Sequence, residues 1–94
     1  MDKKNISAQE AEALRHQVLE YLAGRHPLTW TQKQIAQGLK MRGMVDFDFG
    51  QDDLGSALGV LAGKGLIEHE PDNLGSTVYW RATADGLIEW ERRH

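Results

Sequence analysis

The chain has 94 residues, of which 40% are hydrophobic and 27% charged, with a formal net charge of −3 and a pI near 5.7. This length suits one domain with a single modest core, and the composition excludes a disordered or fibrous protein. Because the sequence has no cysteine and only short apolar runs, it excludes disulfides, thiolate metal sites and membrane spans, and we expect a cytoplasmic protein.

The first helix is predicted to follow a short N-terminal tail. Residues 1–6 lack the apolar segment of a secretory signal, so we expect a flexible tail and then a single domain over residues 7–94. Ser7 and Glu10 have the spacing of a capping box, which starts helix 1, and Gly24 ends it. The face predicted to be buried consists of Ala11, Leu14, Val18, Tyr21 and Leu22.

A second capping box, formed by Thr31 and Gln34, starts helix 2, which runs to about Lys40. The β-prone residues 28–30 before it are predicted to form a short strand that pairs with a later hairpin. The residues predicted to be buried in helix 2 are Ile35, Ala36 and Leu39. The exposed side carries polar groups that can reach phosphates, namely Gln32, Lys33, Gln37 and Lys40.

Hydrophobic and acidic residues alternate in the connection at residues 42–50. Alternation favours an extended segment with one side buried, so Asp46 and Asp48 are predicted to face water. The residues predicted to face inward are Val45, Phe47 and Phe49. Asp48 and Gln51 are then predicted to cap helix 3, whose first turn carries further carboxylates that the helix dipole favours.

Helix 3 is predicted to begin near Gln51 and to end at the glycines of positions 63 and 65. Its apolar residues are Leu54, Ala57, Leu58, Leu61 and Ala62. The opposite face consists of Asp52, Gly55, Ser56, Gly59 and Gly63. That face has no cation and no long side chain, and each exposed glycine costs roughly 1 kcal/mol of helix stability. Either Gly55, Gly59 and Gly63 let another backbone come close, from a neighbouring helix of the domain or from a partner chain, or the helix lies deeper, with its glycine side against helix 1 or helix 2. The sequence leaves both open.

The last third of the chain reads as a hairpin and a closing helix. Residues 66–70 and 77–81 are rich in strand-forming residues, and residues 71–76 are rich in turn formers. Thr83 is predicted to cap the final helix. The residues predicted to close the core from this helix are Leu87, Ile88 and Trp90.

The turn Lys64-Gly65-Leu66-Ile67, the hairpin and the Thr83-x-x-Gly86 opening together resemble winged helix-turn-helix transcriptional regulators. The resemblance implies an α+β, mostly α fold with a three-helix core, a β-hairpin wing and a short C-terminal helix. Members of this family generally place the third helix in the major groove of DNA and the wing against the minor groove or the backbone.

Carried over by position, the resemblance implies two sets of contacts with double-stranded DNA. The residues in the groove would be Gln51, Asp52, Gly55, Ser56 and Gly59. The residues in contact with the DNA backbone would be Lys33, Asn73, Ser76 and Arg81. The chain ends 11 residues after Thr83, short of the long helix that many dimeric regulators use for pairing, so we expect a monomer or a weak dimer.

Two functions follow as hypotheses. The first is a DNA-binding regulator or accessory factor, carried by the family resemblance. The alternative is a protein–protein interaction module that uses the glycine face of helix 3 and the acidic and aromatic 42–50 connection. The acidic net charge favours this alternative, because affinity for nucleic acid rests largely on Lys and Arg.

Catalytic and metal chemistry find little support in the sequence. The connection begins like a calcium loop, but the acidic twelfth ligand would fall on Ala57. The histidines are scattered without zinc-ligand spacing, and no serine has a recognisable neighbouring base. We therefore expect no enzyme activity, no cofactor and no metal.

Overall fold

Within residues 6–72 and 74–93, the part of the chain that the computed structural model describes, four helices and one β-hairpin form the fold. In chain order the elements are α1 (Ala8–Ala23), α2 (Gln32–Met41), α3 (Gln51–Gly63), β1 (Ile67–Pro71), β2 (Val78–Ala82) and α4 (Ala84–Arg92). The predicted mostly helical α+β architecture is confirmed. None of the described helices is long and apolar enough to cross a membrane.

Both predicted capping boxes are present. The Ser7 hydroxyl accepts the Glu10 N–H at 3.1 Å, and the Glu10 carboxylate accepts the Ser7 N–H at 3.1 Å. At the start of α2 the corresponding distances are 3.1 Å from the Gln34 N–H to Thr31 and 2.9 Å from the Thr31 N–H to Gln34. Each box satisfies backbone donors that have no partner inside the helix, so these residues fix where the two helices begin.

The cap of α3 differs from the prediction. Gly50 is its N-cap residue, and the Gly50 N–H donates to Oδ2 of Asp53 at 2.8 Å. The prediction that Asp48 and Gln51 form the cap is therefore wrong. Since the helix begins at Gln51, Asp53 is its third residue, and a carboxylate at that position reaches back to the N-cap amide.

The core lies between α1, α2 and α3. Its most deeply buried side chains are Leu14, Val18, Leu22, Ile35, Leu39, Leu54 and Leu58. Burying one such side chain contributes roughly 1.5–3 kcal/mol. As predicted, Phe49 is buried, Val45 and Phe47 pack against the core, and Asp46 and Asp48 are exposed. The 42–50 connection thus covers one side of the core. Ile6, the last residue of the predicted tail, also packs against it.

The start of α4 is attached to the turn that follows α3. The Thr83 hydroxyl donates to the carbonyl of Gly65 at 2.6 Å, and the Thr83 N–H donates to the carbonyl of Leu66 at 3.0 Å. Gly86 is buried so closely that a Cβ at this position would lie 2.0 Å from the Leu66 carbonyl oxygen. These contacts explain why threonine and glycine occur with this spacing.

One residue predicted for the core lies outside it. Leu87 and Trp90 pack against the core, but Ile88 is 51% exposed, so that prediction is wrong. Successive residues of a helix point about 100° apart, and because Gly86 and Leu87 face inward, Ile88 points toward solvent.

The hairpin is antiparallel, with His69 opposite Trp80 and Glu68 opposite Arg81. Main-chain hydrogen bonds of 2.9 and 2.8 Å join Trp30 to Trp80. The strand predicted at residues 28–30 is therefore reduced to a single bridge at Trp30. This bridge fastens the chain just before α2 to the hairpin.

Candidate nucleic-acid interface

An open groove runs between the first turns of α2 and α3 on one side and the β1–β2 hairpin on the other. The polar and aromatic side chains that line it are those of Gln32, Lys33, Gln51, His69, Ser76 and Trp80. Amides, hydroxyls, one ammonium group and one imidazole therefore line the described surface of the groove, without a carboxylate. Such a set of donors suits an anionic polymer.

Gln51 is held in place by a residue of the neighbouring helix. The side-chain amide nitrogen of Gln32 donates to the main-chain oxygen of Gln51 at 2.9 Å and to its Oε1 at 2.9 Å. Because Oε1 accepts this hydrogen bond, the amide hydrogens of Gln51 and the second lone pair of its oxygen remain for a ligand.

The two faces of the hairpin differ in charge. Residues directly opposite each other lie on the same face, and faces alternate along a strand. His69 and Trp80 lie on the groove face, with their ring centroids 4.9 Å apart and their planes tilted by 46°. Glu68 and Arg81 lie on the other face, where the guanidinium is 2.7 Å from Glu68 and 3.6 Å from Glu70.

The ion pairs also stabilise the charged form of the Arg81 guanidinium. The hydrogen bond to Glu68, together with the negative charges of Glu68 and Glu70, raises the pKa of the Arg81 guanidinium. The two carboxylates of β1 are thus paired with Arg81 of β2 on the face turned away from the groove.

Asp72 organises the turn at the end of the hairpin. Its Oδ1 accepts the N–H groups of Leu74 and Ser76, both at 3.0 Å. Desolvation raises the pKa of the Asp72 carboxyl, but the backbone hydrogen bonds of the turn outweigh it and hold that pKa below its ordinary value. Its Oδ2 also accepts the Ser76 hydroxyl at 3.4 Å, so the carboxylate is engaged within its own turn and holds Ser76, which lines the groove.

Solved structures of the same shape exist for transcriptional regulators. The regulator Cth-833 from Clostridium thermocellum matches with a TM-score of 0.73 and 16% identity, over 94% of this chain and 84% of its own. A ZitR mutant from Lactococcus lactis in its apo form matches with a TM-score of 0.68 and 20% identity, over 92% of this chain and 58% of its own.

MepR from Staphylococcus aureus in its DNA-binding conformation matches with a TM-score of 0.67 and 21% identity, over 84% of this chain and 53% of its own. The chain has the winged-helix fold of these regulators. It spans a little over half the length of the ZitR and MepR chains. No protein-family model matches the sequence, and no curated protein matches it.

In this winged helix, α3 is the third helix and the hairpin with its turn, residues 67–82, is the wing. The residues predicted to enter the DNA groove do not form one surface. Gln51 lines the groove beside the wing, and Gly55 lies next to Gln32, since a Cβ there would be 3.7 Å from the amide nitrogen. Asp52 and Ser56 instead line a separate hollow between α1 and α3.

The predicted backbone contacts are also divided. Lys33 and Ser76 line the winged-helix groove, whereas Arg81 lies on the opposite face of the wing. Asn73 lies outside the described residues. A second lysine of α2, Lys40, is over the ring of Phe49, with its Nζ 4.9 Å from the ring centroid. Lys33 is thus the cation among the described residues that line the groove.

The glycine face of α3 is open toward solvent at Gly59 and Gly63. A Cβ added at either position would have no heavy atom within 4 Å outside the helix itself. The hypothesis that the glycines pack against helix 1 or helix 2 is therefore wrong at these two positions, whereas Gly55 lies against Gln32 of α2; the close approach of a partner chain stays a prediction. Val60, next to Gly59, is 40% exposed.

His69 is not among the contacts predicted from the sequence, where the histidines were considered only as metal ligands. Strand alternation offered the signal that was needed: counting from the buried Ile67 puts His69 on the same face of β1. In the part of the chain that the structure describes, no group of three or more His, Asp or Glu side chains is arranged to hold a metal ion.

Proposed function

We propose that this winged-helix domain binds double-stranded DNA through the groove between α2, α3 and the wing, as a small cytoplasmic transcriptional regulator or accessory factor. The observation that carries the proposal is the composition of the groove. Hydrogen-bond donors from three separate elements converge on it, while Glu68 and Glu70 pair with Arg81 on the other face of the wing and Asp72 accepts hydrogen bonds within its own turn.

The groove offers both kinds of contact that DNA recognition uses. Phosphate contacts fix the position of a protein on the duplex, and the Lys33 ammonium group is suited to them. The Ser76 hydroxyl donates to Asp72 at 3.4 Å and would exchange that acceptor for a phosphate oxygen. Contacts with base edges supply sequence preference, and a glutamine amide matches the N6 and N7 groups of adenine. Gln51, held by Gln32, is the side chain proposed for this role.

The charge of the groove predicts how such binding depends on salt. Each phosphate that a cation neutralises contributes about −0.9 to the slope of log K against log salt concentration. With Lys33 as the cation among the described lining residues, we expect a shallow slope and weak binding to DNA of arbitrary sequence. Strong binding would require a preferred sequence.

The test is a fluorescence-anisotropy titration of a labelled duplex with the protein at low and moderate salt. Lys33→Ala is expected to weaken binding and to reduce the salt slope by about 0.9. Lys40→Ala is the matched control, because it removes the same charge from the other end of α2. Equal losses in the two variants would contradict the proposed groove. Absence of binding by the unmodified protein at low salt would contradict DNA binding itself.

A second candidate, protein interaction, rests on the open glycine face of α3. A partner helix could approach Gly59 and Gly63 closely and cover the exposed part of Val60. Gly59→Arg separates the two functions. It would displace a protein partner in co-purification, but it should leave duplex binding through the groove unchanged, because Gly59 does not line the groove. In either case the oligomeric state we expect is a monomer or a weak dimer, which sedimentation can measure.

A further inference from the structure

His69 is a titratable side chain on the wing side of the groove. It is exposed, and its ring lies against that of Trp80, the residue directly opposite in the sheet. Lys33 lines the same groove from α2. The aromatic contact holds the imidazole at the wall of the groove, and an aromatic ring attracts a cation placed over its face.

The charged groups of the elements around His69 are divided between the groove and other surfaces of the domain. Glu68, Glu70 and Arg81 are on the other face of the wing. Asp53, in the first turn of α3, accepts the Gly50 N–H at 2.8 Å and lines hollows on the α1 side. From α2 the facing charge is Lys33, and the described lining of the groove has no carboxylate.

The Asp72 carboxylate, at the end of the wing, accepts hydrogen bonds from two N–H groups of its own turn and from the Ser76 hydroxyl, the last at 3.4 Å. Tyr79 is opposite Glu70 and shares its face, away from the groove. An anion that enters the groove would therefore meet the positive charge of Lys33 and, after protonation, that of His69.

We propose that His69 is a phosphate contact of the wing, and that its protonation strengthens the binding of DNA. This inference rests on the proposed DNA binding. Histidine is the side chain that ordinarily changes charge between pH 5 and 8. Because the described lining has one permanent cation, protonation of His69 doubles the positive charge that the groove presents to a phosphate.

The experiment is the same duplex titration, repeated between about pH 8 and about pH 6 at several salt concentrations. On acidification we expect binding to become about twofold to fivefold tighter, the range that one exposed ion pair gives. The salt slope should become steeper by about 0.9. His69→Gln, which keeps a polar side chain but cannot become charged in this range, should lose both changes.

Other histidines also gain charge on acidification, so the decisive comparison is between variants. His26→Gln removes an exposed histidine from the connection between α1 and α2 and should keep the full pH response. His69→Lys should bind at pH 8 as tightly as the unmodified protein binds at pH 6. Circular dichroism and tryptophan emission check that each variant is folded.

The outcomes are distinct. If His69→Gln and His26→Gln respond to pH equally, the effect comes from overall charge and the role of His69 is overturned, while DNA binding stands. If His69→Lys binds no more tightly than the unmodified protein at pH 8, the phosphate contact is likewise overturned. If the unmodified protein binds no duplex at low salt at any pH, both proposals are overturned.

Discussion

Gln32 donates from one amide nitrogen to both oxygens of Gln51, each at 2.9 Å. The contact joins the first turn of α2 to the first residue of α3. The side chain proposed to read bases is thus positioned by a residue of the supporting helix. An amide that is held before binding loses less conformational entropy when it contacts a base.

We therefore expect Gln32→Ala to weaken duplex binding without unfolding the protein. Loss of one neutral hydrogen bond, worth about 0.5–1.5 kcal/mol, corresponds to roughly a twofold to tenfold lower affinity. Gln37→Ala is the matched control, since Gln37 is exposed on the same helix and does not line the groove. Anisotropy titrations of both variants make the comparison, and equal affinities would exclude a positioning role for Gln32.

Two glycines near the end of α3 should respond in opposite directions to alanine. Gly59 is helical with open space around its Cα, so Gly59→Ala should stabilise the protein by up to about 1 kcal/mol and raise Tm by about 4–8 °C. Gly65 has a φ of 77°, which costs an alanine roughly 1–2 kcal/mol, so Gly65→Ala should lower Tm. Thermal unfolding measures both, and a lower Tm for Gly59→Ala would mean that its face is not open.

Gly86→Ala should be among the most damaging small substitutions in the chain. Its Cβ would lie 2.0 Å from the carbonyl oxygen of Leu66, and a backbone atom cannot move aside as a flexible side chain can. Overpacking of this kind costs about 1–3 kcal/mol or more. Urea unfolding should show a lower midpoint than for Gly63→Ala, a control with no neighbour within 4 Å of the new Cβ. Equal midpoints would contradict the close approach of α4.

The turn of the wing should loosen in acid. Backbone hydrogen bonds hold the pKa of Asp72 below its unfolded value, so the stabilisation is complete above about pH 4 and is lost as the pH falls through the folded value. The amide resonances of Leu74 and Ser76 should shift over that range in NMR spectra. In Asp72→Asn these shifts should disappear, whereas Asp46→Asn, outside the turn, should preserve them. Resonances that stay constant in the unmodified protein would contradict the turn described.

Much of the fold could be predicted because its signals are local. The capping boxes at Ser7 and Thr31 depend on residues three positions apart, and the structure contains both. The prediction of the α3 cap was wrong although the start of the helix near Gln51 was right, because the N-cap residue is Gly50, which has no side chain, and the carboxylate at the cap comes from Asp53 inside the first turn. The prediction that Ile88 is buried was wrong because the inward side of this short helix is set by the contact of Gly86 with Leu66.

The candidate site was harder to predict, since it depends on contacts between distant parts of the chain. Gln32 and Gln51 are 19 positions apart, and no periodic pattern relates them. Arg81 was nominated by position within the family, but the register of the hairpin turns it toward Glu68 and away from the groove. Residue type alone could not have distinguished the two faces of the wing.

The two main-chain hydrogen bonds between Trp30 and Trp80 set the spacing between the wing and the start of α2. The distance between the walls of the groove is thus a property of the backbone. Side chains along those walls can be replaced without altering the main-chain hydrogen bonds that set this distance. Cationic or amide side chains introduced at Val78 or Thr77 would change which ligands bind in the groove. This small domain is therefore a scaffold for the design of altered binding specificity.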